Sequence, residues 1–144
     1  MGKVMASYIS DGYTRDDGYI AAAPEESSNG ERLYESLEFT YRPATRMELV
    51  RLDAEVEIAS KSKEFDPESA IRAEKIACKF IASKIISWSL MSVGIHSVPV
   101  SAESLERMNP YLFGNLYRII RGSQTSDIKP NVPPKPSDED QVKN

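Results

Sequence analysis

The segment from Asp66 to Trp88 constrains the fold more than any other part of the sequence. Asp66 is a favoured helix N-cap, and Pro67 is preorganised for the first helical position. Side chains that recur every three or four residues then form a stripe over more than half of the helix circumference. The stripe consists of Ala70, Ala73, Ala77, Phe80, Ile81, Lys84 and Trp88, and Ile71, Ile76, Ile85 and Ile86 widen it. The pattern predicts a central helix that other elements contact on two sides.

A capping box predicts the helix that precedes this one. Thr45 and Glu48 are spaced so that each side chain satisfies a free backbone N–H of the first turn. The apolar stripe of this helix consists of Leu49, Leu52, Val56 and Ala59, and its water-facing side carries Arg51, Asp53, Glu55 and Glu57. The spacing predicts an amphipathic helix that packs on one face only.

Two shorter helices are predicted near the end of the folded region. Ser101 is the N-cap of a helix from Ala102 to Met108, and Asn109-Pro110 starts another, which Gly122 ends. The apolar stripe of the last helix consists of Leu112, Phe113, Leu116, Ile119 and Ile120.

Extended segments are predicted at two places. Residues 34–42 alternate between apolar and polar side chains, which is typical of a half-buried strand. Residues 88–92 and 98–100 flank a turn and predict a small hairpin. We therefore expect a mainly α fold of about four helices, with a short N-terminal strand and a small β-hairpin.

The two ends of the chain lack the pattern of a core element. Residues 1–33 are rich in Gly, Ser, Asp and Tyr and predict a flexible N-terminal arm with Asp-Gly turns, which leaves open one small hairpin with a brief strand at residues 19–23. Residues 123–144 contain four prolines and few large apolar side chains, which predicts a disordered tail. The helical domain is expected to span residues 34–122.

Composition excludes several classes of function. The net charge is −4, so no basic excess is present to bind nucleic acid. The single cysteine, Cys78, lies in an apolar run and is expected to be buried in a reduced, cytosolic protein. No apolar stretch approaches the ~20 residues that span a bilayer, so no membrane segment is expected.

No chemistry-bearing motif stands out. His96 is the lone histidine and lies in a predicted turn, so no Cys/His metal cluster is possible. Carboxylate pairs such as Asp53 and Glu57 fall on water-facing sides of helices, and no nucleotide-binding or hydrolase motif occurs. We expect a protein without metal, cofactor or catalytic residues, which is not an enzyme and acts by binding another protein.

An ordered series of structural motifs between Leu37 and Gly122 resembles the small tail-assembly chaperones of long-tailed bacteriophages and prophages. The series consists of Phe39-Thr40-Tyr41-Arg42-Pro43, a charged helix, the Asp66-Pro67 helix, Trp88-Ser89-Leu90, Val98-Pro99-Val100-Ser101, Leu105, Asn109-Pro110, Leu112, Leu116, Ile119 and Gly122. Asp17-Gly18-Tyr19-Ile20-Ala21-Ala22 also resembles the start of such proteins. The longer, Tyr-rich N-terminal arm departs from the pattern.

The resemblance implies a function in the host cytoplasm. Such proteins bind the long tape-measure protein, keep it soluble and help to recruit tail-tube subunits, and in some members a ribosomal frameshift adds a C-terminal extension. Self-association is a further possibility.

A holdase of this kind needs exposed apolar or aromatic surface. The predicted partner-binding residues lie on the wide face of the central helix and beside it; they are Ile76, Phe80, Ile86, Tyr111 and Tyr117.

Two other functions stay open at this point. One is a structural virion subunit, such as a tail or head–tail connector component. The other is a small DNA-binding regulator, because the last two helices resemble a helix-turn-helix and the second carries Arg118 and Arg121.

Overall fold

The computed structural model describes residues 15–23, 34–61, 66–92 and 96–130. Within these ranges the helices are α1 (Arg46–Ser60), α2 (Pro67–Lys84), α3 (Ala102–Glu106) and α4 (Pro110–Arg121). The strands are β1 (Asp16–Ile20), β2 (Leu37–Tyr41), β3 (Ile85–Trp88), β4 (Met91–Ser92) and β5 (His96–Ser97). The prediction of a mainly α fold is wrong, because the helices are combined with a three-stranded and a two-stranded antiparallel sheet. The fold is mixed α and β, although mostly helical.

The strand predicted at residues 34–42 is confirmed as the centre of the larger sheet. β2 pairs antiparallel with β1 on one side and with β3 on the other. Its alternating side chains Leu37, Phe39 and Tyr41 are buried, whereas Glu38 and Thr40 lie on the other face. A central strand needs a partner on each side, and these two partners are what the sequence prediction missed.

The first missing partner is β1. The sequence assigns residues 1–33 to a flexible arm, whereas the structure pairs Asp16–Ile20 with β2 along its whole length. The side chain of Ile20 is buried in the core, and Gly18 is covered by the ring of Phe39. The sequence signal was weak because an Asp-Gly pair, which usually marks a turn, lies inside the strand.

The second missing partner is β3. The apolar stripe of α2 extends to Trp88, but the helix ends at Lys84 and the chain continues as a strand. Ile85 and Ile86 are β-branched and suit a strand as well as they suit the stripe. The strand conformation is favoured because it pairs Phe39 with Trp88 and Tyr41 with Ile85, and so satisfies the backbone hydrogen bonds along the second edge of β2.

The helix start and stop signals are confirmed. Thr45 and Glu48 form both hydrogen bonds of the capping box, and the side chain of Asp66 accepts from the N–H of Glu68. At the other end of the fold, Asn109 caps α4 and Gly122 ends it in the left-handed conformation, with φ 83°.

One core lies between the sheet and three of the helices. α2 and α4 contact the sheet, α3 packs on α2 and adds Leu105 to the same core, and α1 packs against α2. The buried cluster consists of Ile20, Leu37, Phe39, Tyr41, Cys78, Ile81, Ile85, Leu105, Leu112, Leu116, Ile119 and Ile120. Every large apolar residue of this set except Ile20 falls in a segment that the sequence assigns to the folded domain.

The first part of the predicted tail is ordered against the sheet. The N–H of Asp127 donates to the carbonyl of Tyr19 at 2.8 Å, and a carboxylate oxygen of Asp127 accepts from the N–H of Ala21 at 2.9 Å. Lys129 forms an ion pair with Glu38 at 2.8 Å. The segment around Asp127 therefore lies along the outer edge of β1. The remainder of the predicted arm and tail (1–14, 24–33 and 131–144) lies outside the described residues.

Candidate functional site

The five predicted partner-binding residues are distributed over three elements. Ile76 and Phe80 lie on α2, Ile86 on β3, and Tyr111 and Tyr117 on α4. Ile86 and Tyr111 are exposed, as a binding role requires, but Phe80 and Tyr117 pack against the buried core. Part of the wide apolar face of α2 therefore packs inside the protein and is not accessible to a partner.

Tyr117 has a structural role between two helices. Its ring stacks on Phe113 with the centroids 5.8 Å apart, and the guanidinium of Arg121 lies 5.4 Å from its centroid. Arg121 in turn donates two hydrogen bonds to Asp53 of α1, at 2.9 and 3.2 Å. The hydrogen bonds to Asp53 raise the pKa of Arg121. This set joins α4 to α1.

The two arginines of α4 are bound to side chains of the protein. Arg118 donates to Gln124 at 2.8 Å and to Asn115 at 3.1 Å, and Arg121 is held by Asp53. Phosphate contacts would require these guanidinium groups to leave their partners. The geometry therefore disfavours the DNA-binding alternative.

The least expected feature is an apolar face on α1 that contacts none of the other described helices. Met47, Val50 and Ile58 are 68, 55 and 73% exposed, and Ala54 between them is also exposed. Spacings of three, four and four residues place these four side chains on one face of the helix. We call this set the α1 stripe.

The α1 stripe lies opposite the face that packs on α2. Leu52 is buried there, and the other predicted apolar positions of α1 beside it are partly buried. α1 is therefore apolar on two opposite faces, although only one of them has a partner within the described residues. The sequence prediction included only the Leu52 face and assigned the opposite side of α1 to water. The spacing of three and four residues from Met47 to Ile58 indicates a second apolar face in the same way.

Charged side chains flank the α1 stripe in an ordered way. Arg46 and Arg51 lie in the N-terminal half of α1, while Glu55 and Glu57 lie in the C-terminal half, and all four are exposed. The ion pairs found in the described ranges involve none of these four residues. The stripe thus has a positive end and a negative end.

A cleft of about 890 Å³ lies along the sheet. Its walls include β1, β2 and the segment that follows Gly122. Within it Thr40 donates to Asp17 at 3.2 Å, and the hydroxyl of Tyr41 donates to Asp16 at 3.3 Å. Burial, followed by the charge of Asp16, raises the pKa of Tyr41, so the phenol stays protonated at neutral pH. These contacts hold the strands together.

The cleft along the sheet is lined by carboxylates, but neither cysteine nor histidine is among the described residues that line it. A second cleft of about 450 Å³ lies between the β4–β5 hairpin and the start of α4, and neither it nor the first is lined by Cys78 or His96. Within the part of the chain that the structure describes, no group of three or more His, Cys, Asp or Glu side chains is placed to hold a metal ion. None of the described helices is long and apolar enough to cross a bilayer.

No protein-family model, curated protein or solved structure matches the chain. The α1 stripe is accordingly the strongest candidate for a functional site on structural grounds.

Proposed function

We propose that this protein is a non-catalytic tail-assembly chaperone of a long-tailed phage or prophage. It binds the tape-measure protein in the host cytoplasm and keeps it soluble during tail morphogenesis. The observation that carries the proposal is the α1 stripe, an exposed apolar helix face with charged flanks.

The stripe has the form that a helical client requires. Three large apolar side chains at three-to-four-residue spacing offer the surface against which an amphipathic helix packs. α1 has ~22 Å of length, which is enough to contact about four turns of a client helix. Ile86 and Tyr111 provide further exposed apolar surface outside α1.

Co-expression with the tape-measure protein of the same phage tests the proposal. The tape-measure protein should become soluble and co-elute with this chain in size exclusion. Ile58→Asp places a charge on the α1 stripe and should abolish co-elution. Ile128→Asp is the matched control, because Ile128 is 71% exposed against 73% for Ile58 but lies on the segment beside β1.

Two outcomes would contradict the proposal. In the first, the tape-measure protein stays insoluble and this chain elutes alone. In the second, the tape-measure protein is solubilised but Ile58→Asp has no more effect than Ile128→Asp, which would remove the α1 stripe as the binding face.

A further inference from the structure

The α1 stripe is nearly symmetric about its own midpoint. Met47 and Ile58 lie at its two ends, and Val50 and Ala54 lie between them at almost equal distances from the centre. If a second copy of α1 lies antiparallel on this face, Met47 meets Ile58 of the second copy. Val50 then meets the smaller Ala54 of the second copy, so a larger side chain faces a gap.

The flanking charges follow the same symmetry. In an antiparallel pair related by a two-fold axis, side chains on one flank meet the same flank of the other copy. Their angular positions around the helix axis place Arg51 and Glu55 on one flank of the α1 stripe and Arg46 and Glu57 on the other. Arg51 therefore comes within about one residue of Glu55 of the second copy, and Arg46 within about two residues of Glu57 of the second copy.

A parallel pair would have the opposite result. In a parallel pair each flank would meet the opposite flank of the other copy, so Glu55 would come within about two residues of Glu57 of that copy, which is an unfavourable like-charge contact. The charge order along α1 thus selects one orientation for self-association.

We propose that the α1 stripe is the interface of an antiparallel homodimer, with the two-fold axis passing between the two copies of α1 at the level of residues 52 and 53. The interface coincides with the proposed client-binding face, so the dimer covers the stripe while no client is bound. The inference rests on the placement of charges and apolar side chains and does not depend on the identity of a client.

The size of the stripe sets the strength of the dimer. The four apolar positions span only ~16 Å along a single helix, so a pair of such faces buries much less area than the ~1,600 Å² of a standard interface. The dimer is therefore weak, with a dissociation constant on the order of 10 µM, and it exchanges rapidly. A client helix can compete for the same face.

Sedimentation velocity of the full-length chain without any client tests the dimer. The wild-type protein should shift from monomer to dimer between roughly 1 and 300 µM. Ile58→Asp should remain monomeric over this range, whereas Ile128→Asp should behave as the wild type. Because both side chains are already exposed, neither substitution disturbs the core.

A charge swap tests the orientation. Arg51→Glu and Glu55→Arg should each raise the dissociation constant about tenfold, because each creates two symmetric like-charge contacts. The double variant R51E/E55R should recover to within about threefold of the wild type. Arg107→Glu, on the exposed turn after α3, makes the same charge change away from α1 and should have no effect.

Three results would overturn the inference. They are a wild-type chain that is monomeric at every concentration, a dimer that Ile58→Asp does not weaken, and a double charge variant no better than the single ones. If the protein is monomeric but co-elutes with the tape-measure protein, the dimer proposal fails and the proposed function stands. If the protein dimerises through α1 but does not bind the tape-measure protein, the proposed function fails and the dimer proposal stands.

Discussion

The ammonium group of Lys84 lies 2.5 Å from Oε1 of Glu48, and this ion pair joins the end of α2 to the first turn of α1. The two partners differ in exposure, since the side chain of Lys84 is 8% exposed and that of Glu48 is 40% exposed. The same Glu48 oxygen accepts the N–H of Thr45 at 2.9 Å. One carboxylate therefore completes a capping box and neutralises a buried cation.

Because of this asymmetry, the two partners should respond differently to substitution. Glu48→Ala leaves a buried ammonium without a partner and removes half of the capping box, so it should lower the free energy of unfolding by about 2–4 kcal/mol. Lys84→Met removes the buried charge and keeps the apolar volume, so it should cost less than about 1 kcal/mol. Urea denaturation measures both, and equal losses would contradict the predicted asymmetry.

The same pair predicts how stability depends on pH. Burial raises the pKa of Glu48, but hydrogen bonds from Lys84 and Thr45 outweigh it, and the net pKa is below the ordinary value of 4.5. The unfolded state consequently binds more protons just below pH 4.5, so this contribution is present above that pH and is lost as the pH falls.

Glu48→Gln should therefore flatten the loss of stability in acid. The measurement is the urea midpoint of the wild type and of the variant at about pH 7, 5, 4 and 3. The two curves should converge as the pH falls, and a constant separation between them would show that Glu48 does not contribute in this way.

A third prediction concerns two glycines of opposite character. A Cβ at Gly18 would overlap the buried ring of Phe39, so Gly18→Ala should cost about 1–3 kcal/mol. A Cβ at Gly114 in α4 meets only the exposed guanidinium of Arg118, at 3.3 Å, which has to shift by a few tenths of an ångström while it keeps its hydrogen bonds. Gly114→Ala should stabilise the protein by about 0.5–1 kcal/mol, because glycine is a poor helix former. Thermal unfolding of both variants measures these changes in stability. If Gly18→Ala leaves the stability unchanged, the placement of Gly18 in β1 under the ring of Phe39 is contradicted.

Cys78 should be chemically inert in the native protein. It is buried in the core, and burial, together with the charges of Glu74 and Glu106, raises its pKa to about 11. At about pH 8 a disulfide reagent should modify the native thiol at least ~100-fold more slowly than the thiol in urea. Rapid modification of the folded protein would show that this part of the core opens readily.

The helices were predictable because their ends carry local chemical signals. Thr45 with Glu48, Asp66 with Pro67, and Asn109 with Gly122 each satisfy or terminate the backbone of the helix they bound, and no distant contact is needed. The central strand was predictable for the same kind of reason, since its alternation is a local pattern.

The rest of the sheet depends on contacts that are distant in the sequence. Ile85 and Ile86 fit a helix stripe as well as a strand, and only the free edge of β2 decides between them. Gly18 indicates a turn until the ring of Phe39 is known to lie over it. This is why a mixed fold was predicted as mainly α.

The candidate site was predictable only in part. Ile86 and Tyr111 are exposed as expected, but Phe80 and Tyr117 pack against the core. The spacing of apolar residues in the sequence does not show which of them the core buries. The α1 stripe was not predicted, because Leu49, Leu52, Val56 and Ala59 already form one apolar face and Met47, Val50 and Ile58 lie among charged residues.

The contact between Asp127 and Tyr19 has a consequence for how the chain is made. A growing polypeptide emerges from the ribosome N-terminus first, and β1 can pair with β2 once residues 37–41 are available. Its outer edge, however, is covered by residues that are synthesised more than a hundred positions later. Every nascent copy of this protein therefore carries an open strand edge at β1 until residue 127 has been synthesised.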